Sequence, residues 1–229
     1  PDEIKEMVES QDWPMLLSDK VKRSHLFFPE KEKAERYILS LPFGREKKDR
    51  VIDGVVKGQN LQNLFSDLTM GYHDSVDFNT FQIPFACVAV DMVSGKDYVF
   101  HGGSLPLAMR ASMAIPAVFT PVRLDSMVLV DGGLNNNYPV DVALAMGADI
   151  IIGVDLATSD LRTFDRLHSP GDIVTQIIAL HGYDKYARNR DRTDLLFRPD
   201  MEPYRSASFT TAALDTMMRR GEMDARRRW

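Results

Sequence analysis

Val128-Leu129-Val130-Asp131-Gly132-Gly133 reads as a short buried strand that ends on an aspartate and two glycines. Two other runs have the same form: Cys87-Val88-Ala89-Val90-Asp91 and Ile150-Ile151-Ile152-Gly153-Val154-Asp155. In an open parallel sheet, ligands and chemistry sit outside the carboxyl ends of the strands. An aspartate there is a candidate catalytic base or metal ligand. The plain alternative is a turn aspartate that caps its own backbone. Asp131 stands out because Gly132 and Gly133 let another loop approach its carboxylate closely.

Outward from this stretch, strands and helices alternate. Pro139 opens a helix over Val140–Met146 that Gly147 ends, and Asp149–Val154 is the next strand. Strand, short helix and strand together predict a parallel pair with a right-handed crossover. Upstream, Ser104 is placed to cap a helix carrying Leu105, Leu107, Ala108 and Ala111 and stopped by Pro116. Ile83–Val90 and Asp97–Phe100 flank a turn and form a hairpin. Gly58 to Met70 is helical, with Leu61, Leu64, Phe65 and Leu68 on one face and Asn60 available as a cap. Pro1–Ser10 is a short amphipathic helix, followed by an apolar anchor at Trp13–Leu17. Lys20 to Lys33 is a charged loop, Tyr37–Leu41 is strand or helix, and Gly44 to Asp49 is a polar turn. Ser169 to Tyr186 is a longer helix, Leu195–Phe197 a short strand, and Phe209 to Arg228 a closing helix. The fold class is α/β, with a mostly parallel central sheet flanked by helices.

The bulk numbers narrow the function. At 229 residues, one domain with a full core is expected. A net charge of −5 carries no nucleic-acid footprint. The terminal arginines Arg219, Arg220 and Arg226 to Arg228 are interleaved with Glu222 and Asp224, as at a solvated helix end. The single cysteine, Cys87, excludes an internal disulfide and any cysteine-based zinc site. Its apolar setting reads as an inert buried thiol. Most of the 12 methionines and 12 phenylalanines are core.

Catalytic motifs are sparse. His25, His73, His101, His168 and His181 share no metal-ligand spacing. No serine sits in a G-x-S-x-G elbow. Ser104 reads as a helix cap and Ser112 as packing. There is no P-loop and no G-x-G-x-x-G. Asp91, Asp131 and Asp155 at three strand ends leave open a Mg²⁺-dependent phosphohydrolase. A non-catalytic binding module is the other open reading.

Five stretches, in order, carry a resemblance: Gly58-Gln59-Asn60; Ile83-Pro84-Phe85 with Asp91; Ala108-Met109-Arg110-Ala111-Ser112-Met113-Ala114-Ile115-Pro116; Leu129-Val130-Asp131-Gly132-Gly133; and Asn137-Tyr138-Pro139-Val140. Together they resemble the patatin-like phospholipase family, its bacterial branch most closely, over roughly residues 1–200. The resemblance implies a serine acyl hydrolase with a Ser-Asp dyad, no histidine and no cofactor. It places the base at Asp131, with Gly132, Gly133, Arg110 and Asn137 as candidates for shaping the cleft. The implied substrate is a phospholipid or another acyl ester, with contact to a membrane surface.

The family's glycine-rich oxyanion loop and serine elbow have no counterpart in these residues. The chain is therefore expected to be one patatin-like domain, 1–229, incomplete at its N-terminus, with 201–229 a helical extension. Taken alone it is expected to be inactive. A sheet lacking its first strands has a bare edge, so a homo-oligomer or an upstream fragment is an expected partner. The bacterial branch further implies a cell-envelope location.

Overall fold

A computed structural model describes residues 2–20, 56–72, 74–116, 118–156, 167, 170–204 and 208–228. The expected loop after Lys20, the segment Tyr37–Leu41 and the turn Gly44 to Asp49 lie outside the described residues, as do His25, His73 and His168.

The described chain begins with α1 (Asp2–Glu9) and the single turn α2 (Trp13–Leu16). Trp13 stacks on Phe209 at 4.3 Å between ring centroids and donates its indole N–H to Val8 O at 2.9 Å. Lys5 pairs with Asp215 at 2.7 Å. The first helix is thereby docked on α7 (Thr211–Arg228), the closing helix. α3 spans Gln59–Leu68 and is capped by Gly58 in the left-handed region, φ 78°. Asn60 has a different task from the cap expected of it. Its side-chain amide donates to the carbonyls of Met15, Ser18 and Lys20 at 2.8–3.0 Å, tying α2 to α3.

Strands β2 (Cys87–Asp91) and β3 (Lys96–Phe100) form the expected hairpin. β5 (Val122–Leu124) and β6 (Met127–Asp131) complete a four-stranded sheet in the order β3-β2-β6-β5. A second pair, β1 (Val76–Asp77) with β4 (Gly102–Gly103), lies beside it in sequence. α4 (Leu105–Ser112) packs on β2 and β6. The interface is Ala108 and Ala111 against Ala89 and Leu129, all fully buried, with Phe78 and Phe100 closing its sides. Small residues on both surfaces let helix and sheet approach closely. Each fully buried large side chain there contributes about 1.5–3 kcal/mol relative to exposure.

The α/β class is as expected, but the strand directions differ. Every pairing in the four-stranded sheet is antiparallel. β6 is not paired with β7 (Ile152–Val154). The parallel partner of β7 is β8 (Leu195–Phe197), reached across the long helix α6 (Pro170–Asp191). The helix after β6, α5 (Val140–Ala145), instead packs with Tyr138, Val140 and Ile151 in a second core cluster, joined by Tyr186 and Leu196. The pattern misled because a doubly covered antiparallel strand and a parallel strand carry the same continuous apolar run.

β7 keeps one face open. Ile151, Gly153 and Asp155 are buried, whereas Ile150, Ile152, Val154 and Leu156 are 56–72% exposed. No helix among the described residues is long and apolar enough to cross a membrane.

Candidate active site

Asp131 is the last residue of β6, opposite Ala89 of β2. Its N–H donates to Ala114 O, just beyond α4, at 3.0 Å. The chain then makes a single 3₁₀ turn over Gly132–Leu134. The Asp131 carboxylate caps this turn, Oδ1 accepting the Gly133 N–H at 2.7 Å. Oδ1 is thus the turn cap of the plain alternative, and Oδ2 has no hydrogen-bond partner among the described residues. Burial raises the Asp131 pKa above its ordinary value, and the Gly133 N–H opposes this only in part.

The two glycines are needed for different reasons. A Cβ on Gly132 would lie 2.4 Å from Val88 O, so this residue is pressed against the backbone of β2. The close approach anticipated for another loop is, at this position, made by the protein's own sheet. A Cβ on Gly133 would lie 2.8 Å from Asn137 Oδ1 and 3.1 Å from Asp131 Oδ1. Gly133 thus leaves a small space that Asp131 and the exposed Asn137 both border. Asp131, Gly132, Gly133 and Asn137 are brought together.

Arg110 is engaged elsewhere. It is 4% exposed, and its NH2 group donates to Lys57 O at 2.8 Å and Thr120 O at 3.0 Å. The guanidinium lies 5.2 Å from the centroid of the Phe119 ring. Gly58 has no side chain because Arg110 Nε occupies that volume, 2.7 Å from where a Cβ would be. Burial lowers the Arg110 pKa. The described geometry makes Arg110 a strut between residues 57–58 and 119–120.

The three strand-end aspartates do not form a metal centre. Antiparallel pairing sets Asp91 opposite Leu129 and Asp131 opposite Ala89, and β7 belongs to another sheet. Among the described residues no cluster of His, Cys, Asp and Glu is arranged to hold a metal ion. Asp91 is a turn cap, accepting the N–H groups of Val93, Ser94 and Val128 at 3.1 Å each. The Ser94 side chain, with these backbone donors, lowers its pKa from 3.8 to about 2. Asp155, 2% exposed, accepts the Tyr186 hydroxyl at 2.5 Å and faces Arg198 Nε at 3.5 Å.

Asp91 yields a stability prediction with a definite sign. A carboxyl with a depressed folded-state pKa stabilises the fold above its unfolded value and loses that contribution as pH falls. Asp91→Ala is expected to melt below the parent at pH 7, with the gap shrinking between about pH 4 and the folded value of about 2. Chemical denaturation at a series of pH values measures it. A gap undiminished near pH 2 contradicts the assignment.

Ser112 donates to Val88 O at 2.7 Å, and Ser104 heads α4 without a side-chain cap bond. Neither hydroxyl addresses Asp131. Burial pushes the Cys87 thiol up to about 11, as an inert thiol requires.

One set of polar residues escaped the sequence reading. Asn136, 3% exposed, donates to Asp141 Oδ1 at 3.0 Å. Asn189 of α6, also 3% exposed, donates to Tyr138 O at 2.8 Å, Asp141 Oδ1 at 3.0 Å and Asn136 Oδ1 at 3.2 Å. Lys185 pairs with Asp97 and, at 3.1 Å, with Asp141. The available signal was Asn136, the second asparagine of Asn135-Asn136-Asn137, set between the glycines and Pro139.

An α/β domain that presents an aspartate-diglycine turn at a strand end, with α4 packed behind it, is the framework onto which the family pattern maps. The patatin-like phospholipase family pattern matches residues 7–144, and the chain belongs to that family. An uncharacterized NTE family protein of Mycobacterium tuberculosis is 32% identical over 107 residues, covering 47% of this chain and 29% of that protein. A second from the same species is 42% identical over 80 residues, 35% of this chain and 13% of the relative. Patatin-like phospholipase domain-containing protein 7 of Mus musculus is 35% identical over 80 residues, 34% of this chain and 6% of the relative. The matches span less than a third of the length of these curated relatives.

Proposed function

We propose that this chain carries the base of a lipid acyl hydrolase of phospholipase A or esterase type. Asp131 is half of a Ser-Asp dyad, and the serine lies outside residues 1–229. The observation that carries the reading is the Asp131 carboxyl. Turn geometry fixes it through Oδ1, Oδ2 is unpartnered among the described residues, and burial makes it more basic than an ordinary carboxylate. Within hydrogen-bond reach, Oδ2 accepts the serine proton as Oγ attacks the ester carbonyl carbon. The same proton then passes to the departing alcohol. Water, deprotonated by Asp131 in turn, attacks the acyl carbon, and the proton passes back to the serine Oγ as its bond to the fatty acid breaks. No serine in this chain occupies a G-x-S-x-G elbow, so residues 1–229 alone are inactive. The open apolar row on β7 supports a further segment or a second copy packing there.

Fluorophosphonate labelling of the polypeptide as the cell produces it, read by intact mass and peptide mapping, tests this reading. The expected adduct is on one serine outside residues 1–229. An adduct on Ser104, Ser112 or any other serine of this chain overturns the placement of the nucleophile. Absence of any adduct moves the protein to the binding-module reading.

A further inference from the structure

The family pattern ends at residue 144, yet the turn that holds Asp131 is braced by a helix well beyond it. Gly182, Lys185, Tyr186 and Asn189 recur at i, i+3, i+4 and i+7, one face of α6. Each addresses the segment that follows Asp131 or the strand it leads to. Gly182 lies flat against that turn, with a Cβ there 3.2 Å from Asn135 O and 3.4 Å from Leu134 O. Lys185 bridges Asp97 of β3 and Asp141 of α5. Tyr186 donates to Asp155 and meets Tyr138 edge-on, ring centroids 6.1 Å apart. Asn189 closes the set on Tyr138 O, Asn136 Oδ1 and Asp141 Oδ1. A carbonyl and a carboxylate as acceptors require the NH₂ end of Asn189 to face this way. Within the segment, the N–H groups of Asn135 and Asn136 both return to Gly132 O, at 3.1 and 2.8 Å. Through Asn136, the amide of Asn189 is thus linked to the Gly132–Gly133 peptide, whose N–H fixes Asp131.

We propose that this face of α6, with Asn189 at its centre, is the positioning device for the Asp131 turn. It sets where the carboxylate stands by holding residues 134–141 from behind. The role in catalysis rests on the dyad reading, but the positioning can be measured without it. Asp131 lies opposite Ala89 of β2, its backbone N–H donates to the Ala114 carbonyl, and no charged side chain is paired with it among the described residues. The charged groups behind the turn are Asp97, Asp141 and Lys185. Burial pushes Asp141 up, but the bonds from Asn136, Lys185 and Asn189 outweigh it and hold the carboxyl below its ordinary value. Burial pushes Lys185 down, but Asp97 and Asp141 outweigh it and hold the amine above its ordinary value. Both groups therefore stay ionised while Asp131 titrates.

The test is the carboxyl titration of Asp131, followed by ¹³C NMR in the full chain. In Asn189→Ala the turn relaxes, the Gly133 N–H bond to Oδ1 weakens, and the titration is expected to move to higher pH. Gly182→Ala is the second variant. It favours the helix, since alanine outranks glycine there, while pressing a methyl on Leu134 and Asn135. It is expected to move the same titration with α6 intact, and it decides the matter if Asn189→Ala does not fold. An Asp131 titration unchanged in a folded variant overturns the proposal. In the polypeptide that carries the serine, Asn189→Ala is also expected to lower kcat about tenfold or more with KM little changed, since small misplacements of reacting groups are costly. If Asp131→Asn is fully active while Asn189→Ala shifts the titration, the dyad fails and the positioning stands. If Asp131→Asn is dead and the titration does not move, the positioning fails and the dyad stands.

Discussion

Asp131→Asn, made in the polypeptide that carries the nucleophile, is expected to lower kcat/KM for acyl esters by about 10²–10⁴-fold, the range a positioned general base supplies. The substitution is isosteric. The amide oxygen can still accept the Gly133 N–H that Oδ1 accepts at 2.7 Å, so the turn survives. What is lost is an acceptor for the serine proton. The stability of the variant should move the other way. A carboxyl whose folded pKa is raised stabilises the fold only while protonated, and that contribution disappears as pH rises through the folded value. Burial raises Asp131, so at pH 7 the ionised group is a cost to the fold, and its neutral replacement removes that cost. The variant should be nearly inactive yet melt no lower than the parent. Such an opposition is expected of a site kept for function at the expense of stability. Ester hydrolysis against pH, paired with chemical denaturation, measures both. In the parent, the acid limb should fall above the ordinary carboxylate value of 3.8. A variant within a few-fold of parental activity would end the dyad reading.

The turn was legible in the sequence because its requirements are local. An apolar run, an aspartate and two glycines specify a strand end and a tight turn wherever they occur. Pro139 and Gly147 bracketed α5 correctly for the same reason, and Leu195–Phe197 matched β8 residue for residue. Strand direction was not legible. Cys87–Asp91 and Met127–Asp131 are covered on both faces, and their side chains do not record whether the neighbour runs the same way. That ambiguity generated the idea of three carboxylates at one sheet end, which antiparallel pairing removes. The partners of two buried polar residues were also beyond reach. Arg110 looks like a cleft residue until Gly58 and Phe119, far apart in sequence, are seen to enclose it. Asn189 looks like any polar residue near a helix end until Tyr138 O and Asp141 are placed beside it. Polar residues buried by distant partners leave no periodic signature, whereas apolar faces do.

Gly132→Ala is expected to be strongly destabilising, because the methyl meets backbone rather than a side chain. The added Cβ falls 2.4 Å from Val88 O, 2.7 Å from Val88 C and 3.0 Å from Val88 Cβ. Backbone atoms cannot rotate away as a side chain can. Val88 is paired with Val99 across β2 and β3, and its carbonyl accepts the Ser112 hydroxyl at 2.7 Å. Relief therefore requires β6 to part from β2, or α4 to lose its hold on the sheet. Overpacking of this kind costs about 3 kcal/mol, a fall of roughly 6–12 °C in melting temperature for a chain of this size. Gly133→Ala is the internal comparison. Its methyl meets the end of Asn137, an exposed side chain that can turn aside, and Oδ1 of Asp131. It should cost about 1 kcal/mol or less while disturbing the carboxylate. Thermal melts of the two variants should thus separate the glycine that the sheet needs from the glycine that the site needs. Equal losses at both positions would mean that the turn does not sit as tightly on β2 as Val88 requires.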